Sequence, residues 1–330
     1  MDERGLASGP IEDVEALGGG TQNILLRFRR GTDAFVLRRP PLHKRRNSDE
    51  TMRREARVLG ALAGSEVPHP ALIAACAEEG VLGASFYLME PIDGFNAPTG
   101  LPPLHAGNPT IRHRMGLSMV DGIAALGRID FTKVGLEGFG RPEGFIERQV
   151  PRWKKQLASY SELSGYPGPE IPGVEQVADW LDRHKPTEWK PGILHGDYHL
   201  ANVLFELDGP ELLAIVDWEL CTIGDPLLDL GWMLATWPDP GELASGVVRV
   251  HPWEGFPAAD ELVEQYRKGT DRCLDSIAWY EVLACYKLGI ILEGSHARAF
   301  AGKAPKEIGD LLHRQTLGLF ERALTRIATA

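Results

Sequence analysis

The sequence predicts an α+β fold of two lobes, a small β-rich one at the N-terminal end and a larger, mainly helical one after it. Three observations lead there. At 330 residues the chain exceeds what one hydrophobic core usually serves, so two lobes are the expected arrangement. Strand-like runs crowd residues 1–93, whereas helical spacing dominates 94–330. Between them, 91–109 is rich in proline and glycine and reads as a linker followed by a loop, with the lobe boundary at its beginning.

In the N-terminal lobe, 24–28 and 34–38 are short strand-like runs separated by the turn signal Arg30-Gly31-Thr32-Asp33. Residues 48–62 follow with helical spacing, because Met52, Ala56, Leu59 and Leu62 fall near one face, and Ser48 with Glu50 and Thr51 marks a start. Pro68 and Pro70 end this region and lead to another strand at 85–90. Beyond the linker, the periodicity predicts helices over 111–129, 145–160, 174–184, 261–268, 277–292 and 306–327. Two β-like runs interrupt them. One is 192–195, and the other is 202–205 with 212–217, a pair spanning the hairpin signal Asp208-Gly209.

Composition excludes some classes of function. A net charge of −11 argues against nucleic-acid binding, which needs a concentrated positive field, although a local basic patch for phosphate is compatible with it. The four cysteines (Cys76, Cys221, Cys273 and Cys285) are scattered without a CxxC pair, which predicts reduced thiols rather than disulfides or a zinc site. No uncharged apolar run is long enough to cross a bilayer, and Met1-Asp2-Glu3-Arg4-Gly5 lacks the apolar core of a signal peptide. The expected address is the cytoplasm.

The chemistry concentrates in His195-Gly196-Asp197-Tyr198-His199-Leu200-Ala201-Asn202. An aspartate leaving a short strand, with an asparagine five residues later entering the next, sets two oxygen ligands beside one cavity. Across the hairpin, Ile215-Val216-Asp217-Trp218-Glu219 ends a second apolar strand in a carboxylate. Hard oxygen donors in this number suit Mg²⁺, which leaves room for substrate phosphates, so Asn202 and Asp217 are the candidate metal ligands. Asp197 stays off the metal to orient or receive the proton of a substrate hydroxyl. Gly18, Gly19 and Gly20, ahead of the first strand, offer backbone N–H groups to phosphates.

The pattern resembles the aminoglycoside phosphotransferase and choline kinase branch of the protein-kinase-like superfamily, whose loop reads HGDxxxxN and whose metal aspartate lies in IxDWE or IxDFE. This sequence continues Gly224-Asp225-Pro226-Leu227-Leu228-Asp229-Leu230, similar to that family's GDPxxDL segment. The resemblance implies an ATP-dependent phosphotransferase acting on the hydroxyl of a small molecule, with Asp197 as catalytic base. It gives His195, Glu219, Asp225 and Asp229 supporting parts. It also pairs Glu55, on the first helix, with a phosphate-binding cation. In the family that cation is lysine; here Val36-Leu37 leads into Arg38, a planar fork in place of a compact ammonium. Arg38-Arg39-Pro40-Pro41 resembles a subgroup, the kinase-like region fused to acyl-CoA dehydrogenases. So does 86–94, where backbone groups near Glu90 and Ile92 would hold adenine. The subgroup implies a hydroxyacyl-CoA-like acceptor by analogy alone.

Two other readings stay open at this stage. The arginine at 38 favours a nucleotide-binding pseudokinase with weak catalysis. His195, Asp197 and His199 would suit a metal-dependent hydrolase. The cluster Lys44-Arg45-Arg46, with Arg53 and Arg54, would attract an anionic substrate or else form a solvated loop. Trp153, Trp180, Trp232 and Trp237 are expected in the helical core. The sequence does not settle the acceptor or the oligomeric state, nor the choice between ATP and GTP.

Overall fold

The computed structural model describes residues 1–18, 23–44, 47–238 and 248–330. An antiparallel sheet is built from β1 (Ile11–Ala16), β2 (Ile24–Arg30), β3 (Asp33–Arg39), β4 (Leu72–Cys76) and β5 (Phe86–Met89), with α1 (Ser48–Ala61) between β3 and β4. Its strand order is β1-β2-β3-β5-β4. Then come α2 (Pro103–Gly107), α3 (Pro109–Arg128), α4 (Gln149–Ala158) and α5 (Val174–Arg183). Short strands follow: β6 (Gly192–Leu194), β7 (Val203–Phe205), β8 (Leu212–Ile215) and β9 (Thr222–Gly224). The chain ends through α6 (Leu227–Thr236), α7 (Ala259–Lys268), α8 (Ile277–Phe300) and α9 (Lys306–Thr329). The expected α+β architecture, sheet first and helices after, is what the molecule has.

The β2–β3 hairpin closes through Gly31 and Thr32, with Arg30 facing Asp33. Gly31 sits at φ +60°, the left-handed conformation that a two-residue hairpin needs at its first central position. Met52, Ala56, Leu59 and Leu62 are buried, as the spacing predicts. Five elements lie outside the sequence-based reading. All six residues of β1 are exposed, so no alternation marked it as a strand. α6 is buried on every side, so it has no apolar stripe against a polar one. β4 is uniformly half-buried, and β9 exists by pairing with β6 across 28 or more residues of sequence. The stretch 91–109, read as loop, contains α2 and the first residue of α3.

The core is continuous from Val36 on β3 through α1 and α3 to Phe320 on α9. A small second cluster, Phe28, Phe35 and Leu88, covers the other face of the sheet. The two regions are also tied by backbone: Phe95 and Phe205 exchange N–H···O bonds of 3.0 and 2.9 Å. The Ile215 amide donates to the Pro68 carbonyl at 2.9 Å. Among the described residues no helix is long and apolar enough to cross a membrane. All four cysteines are free thiols, as their spacing predicts.

Candidate active site

Three strand exits converge on one place. β6 runs directly into His195, β8 into Asp217, and β9 into Asp225. β6 and β9 pair with Leu194 opposite Thr222, while β7 and β8 pair with Val203 opposite Ile215, so the exits are held side by side.

The loop after β6 is fastened from behind by Asp229. Its two carboxylate oxygens accept the His195 amide at 2.6 Å and the Gly196 amide at 2.8 Å. Asp229 is 2% exposed, a buried acceptor of two loop amides, and not on the surface. His195 uses both ring nitrogens: Nδ1 accepts the Asp197 amide at 3.3 Å, which leaves Nε2–H to donate to the Val216 carbonyl at 2.9 Å. A histidine so engaged braces β6 to the end of β8 and has no lone pair left for a metal, which removes the hydrolase reading. The grouping with metal-ligand spacing found among the described residues is Glu293, His296 and His313 instead. There Glu293 already accepts the Tyr166 hydroxyl and pairs with His313. Gly196, at φ +88°, passes under the Leu220 carbonyl, and a Cβ would lie 2.5 Å from that oxygen.

Asp197 is held in one orientation by three donors. Oδ2 accepts from Asn202 Nδ2 at 3.0 Å, and Oδ1 from Trp232 Nε1 at 3.0 Å. His199 Nε2 approaches Oδ1 at 3.3 Å, while His199 Nδ1 accepts the Ala201 amide and so fixes the tautomer. Burial pushes the Asp197 carboxyl up, but the His199 hydrogen bond and the charges of His199, His195 and Lys287 outweigh it and hold it well below the usual range. It is therefore ionised at neutral pH and available as a hydrogen-bond acceptor. Asn202 Nδ2 also donates to the Asp197 carbonyl at 2.9 Å, so the amide is turned with its oxygen away from Asp197.

Asp217 sits at φ 65°, ψ 62°, a left-handed backbone that aspartate tolerates better than most residues. The preceding Val216 amide donates to the Asn202 carbonyl at 2.9 Å, which puts the two candidate ligands on adjoining strands. A carboxylate and an amide oxygen are a donor set that fits Mg²⁺. Asp217 Oδ1, however, accepts from Arg38 NH2 at 2.6 Å.

Arg38, on β3, also pairs with Glu55 of α1, Nε to Oε2 at 2.8 Å, without the alignment of a hydrogen bond. Glu55 is fully buried and accepts the Tyr87 hydroxyl at 2.8 Å. Burial pushes the Glu55 carboxyl up, and Arg38 and Tyr87 pull it back. Glu219 is half-buried in the turn after Asp217, and its charge reaches Glu55.

Asp225 combines two tasks: Oδ1 accepts the Leu227 amide at 3.0 Å at the start of α6, and Oδ2 accepts the Tyr280 hydroxyl at 2.6 Å from α8. Burial raises its pKa, and raises that of Asp229. Glu90, at the end of β5, uses its amide on the Ala71 carbonyl and its carboxylate on the Ala71 amide, both at 3.0 Å. Ile92 follows, half-buried in irregular chain. Gly18 is exposed with open space around it, and Gly19 and Gly20 lie outside the described residues.

The described residues of the basic cluster, Lys44, Arg53 and Arg54, already have partners. Lys44 pairs with Asp49 and Glu79, and Arg53 with Glu50. Arg54 donates to the carbonyls of Phe139 and Cys221, and 45–46 lie outside the described residues. Trp153, Trp232 and Trp237 are buried as expected, and Trp180 is half-buried.

Sequence reasoning missed three residues that touch this site. Trp232 lies three positions after Asp229, on the same face of α6, a spacing that could have flagged it. Asn96 donates to the carbonyls of Leu200, Ala201 and Val203 and pins the far end of the loop, with no local signal. Lys287 donates to the Gly196 carbonyl at 3.1 Å; it is the one charge in the apolar run 282–292.

Comparison with known proteins gives the family and the fold. A sequence profile described as the phosphotransferase enzyme family matches residues 13–270. Acyl-CoA dehydrogenase family member 10 of Mus musculus is 28% identical over 312 residues, 90% of this chain and 27% of that protein's length. The chain thus spans about a quarter of that relative. A solved structure from Ralstonia eutropha, titled as a candidate aminoglycoside phosphotransferase, is 28% identical, with a TM-score of 0.78 over 96% of this chain and 94% of the other. The GDP complex of a point mutant of aminoglycoside 2′-phosphotransferase-IIIa, 17% identical with a TM-score of 0.62 over 95% and 94% of the two chains, shares the fold. The fold is the bilobal protein-kinase-like one, and the chain belongs to the phosphotransferase enzyme family.

Proposed function

We propose that the protein is an ATP-dependent phosphotransferase that phosphorylates the hydroxyl of a small molecule. Residues 1–93 form the nucleotide-binding lobe and 94–330 the catalytic and acceptor-binding lobe. Asp197 orients the acceptor hydroxyl and receives its proton. Asn202 and Asp217 would hold Mg²⁺, which supplies charge neutralisation on the phosphates. Arg38, braced by Glu55, binds phosphate; Gly18, Gly19 and Gly20 lie over it, and the backbone near Glu90 and Ile92 takes the adenine. His195, Glu219, Asp225 and Asp229 support the loop and its neighbours. The acceptor is a metabolite of hydroxyacyl-CoA type, on the analogy of the dehydrogenase-fused relatives, and the protein works in the cytoplasm.

One observation carries the reading: the ionised carboxylate of Asp197 is held in one orientation by Asn202, Trp232 and His199. Such an acceptor is what in-line phosphoryl transfer to an alcohol needs, since positioning and charge do most of the catalysis. Purified protein would be screened for ATP consumption with hydroxyacyl-CoAs, amino alcohols, sugars and aminoglycosides. Asp197→Ala is expected to lower turnover by roughly three orders of magnitude. Its thermal shift with Mg²⁺–ATP should stay as in the wild type. Undiminished ATP consumption by Asp197→Ala sinks the role assigned to that residue.

The second reading, a weakly catalytic nucleotide-binding pseudokinase, is favoured by the 2.6 Å Arg38–Asp217 contact, which engages a candidate metal ligand. A thermal shift with ATP but no phosphate transfer to any acceptor would select it.

A further inference from the structure

Lys287 is not used by the mechanism above, and its surroundings are unusual. It lies on α8, half-buried in an otherwise apolar stretch, with its ammonium on the Gly196 carbonyl, one residue before Asp197. Of its three N–H donors, one goes to the Gly196 carbonyl at 3.1 Å; among the described residues the others have no acceptor. The ammonium stands 4.3 Å from the centre of the Trp232 ring and 5.8 Å from that of Trp153. Trp232 is the residue whose indole N–H holds Asp197. Three charged groups face Lys287 from the elements around it: Asp197 on the loop, Asp229 on α6 and Arg152 on α4. Both carboxylates already have their own donors, and Arg152 is a second cation, stacked on the outer side of Trp153 at 5.2 Å. An ammonium set against two aromatic faces and one carbonyl, with donors left over, is placed to take an anionic oxygen.

We propose that Lys287 is an anion-binding residue of the active site, its ammonium taking an anionic oxygen of the reactants beside Asp197. This deepens the phosphotransferase reading and rests on it. The oxygen has two sources, the phosphoryl group in transfer or a carboxylate or phosphate carried by the acceptor. Both present the same chemistry to a cation backed by two aromatic faces and one carbonyl. Burial pushes the Lys287 pKa down from its usual 10.5 to about 8 against the pull of Asp197 and Asp229, so the cation is present at neutral pH.

Three variants test it: Lys287→Met, Lys287→Gln and Lys287→Arg, each checked for folding by thermal melting. Inorganic phosphate is titrated calorimetrically into each at pH 7. Wild type and Lys287→Arg should bind alike, and the Met and Gln variants at least about tenfold more weakly. Equal phosphate affinity in all four proteins overturns the proposal. ADP formation then separates the sources. If the partner is the phosphoryl group, Lys287→Met lowers kcat with water and with every alcohol. If it is the acceptor's anion, KM rises for acceptors bearing carboxylate or phosphate and stays unchanged for neutral alcohols. A wild type that makes no ADP with any acceptor removes the phosphotransferase reading, while the phosphate titration still decides the role of Lys287.

Discussion

At the residue scale the loop depends on acceptors placed behind it. Asp229→Ala strips the partner from two buried amides, those of His195 and Gly196. Each unsatisfied group costs about 1–3 kcal/mol, so the variant should lose about 2–6 kcal/mol in urea unfolding. Lys287 should behave in the opposite sense. Its folded pKa of about 8 lies below the usual 10.5, so at pH 7 the folded state carries an ammonium that burial disfavours. Between about pH 8 and 10.5 the folded state sheds that proton before the unfolded state does, and wild-type stability rises across the window. Lys287→Met should therefore be more stable than wild type at pH 7, by ~1 kcal/mol after allowance for partial exposure, with the gain shrinking above pH 8. Melting temperatures at pH 7 and 10 check both signs. Asp197, Asn202 and Asp217 were legible in the sequence because their spacing is local to two strand ends. Lys287 and Asn96 were not, because they reach the loop from about 90 and 104 positions away.

At the element scale the decisive contact is between α6 and α8. A Cβ on Gly231 would stand 2.5 Å from the Tyr280 carbonyl carbon and 2.9 Å from the Glu281 nitrogen, both backbone. Backbone cannot turn aside as a side chain does, so Gly231→Ala should destabilise by about 1–3 kcal/mol despite alanine's better helix propensity. Gly318 on α9 is the control, since a Cβ there meets nothing within 4 Å. Gly318→Ala should stabilise by up to ~1 kcal/mol. Chemical denaturation of the pair reads the difference directly. The long amphipathic helices were visible from spacing, whereas α6 was hidden by its uniform burial and β9 by the distance to its partner β6. β1 failed for a third reason: an exposed edge strand has no buried face to leave a period in the sequence.

At the scale of the molecule, Arg38 joins the sheet to the region after it through an ion pair with Asp217. Arg38 meets Glu55 within the first lobe and Asp217 in the second. Arg38→Met leaves Glu55 buried without its cation and should cost about 3–5 kcal/mol, most of which Arg38→Met/Glu55→Gln should restore. A double-mutant cycle in urea measures the recovery. The plan of sheet first and helices after was legible from the change of periodicity along the chain, but the contact between Arg38 and Asp217 was not, because 179 positions separate them.

That pairing has a thermodynamic consequence. Asp217 Oδ1 cannot serve Arg38 and a divalent cation equally, so whatever draws the carboxylate away frees the guanidinium, and whatever engages the guanidinium frees the carboxylate. The two binding events are then linked reciprocally, each raising the other's affinity by the same factor. Calorimetric titration of ATP with and without Mg²⁺ measures that factor. It should shrink in Arg38→Met, where the carboxylate has no guanidinium to release.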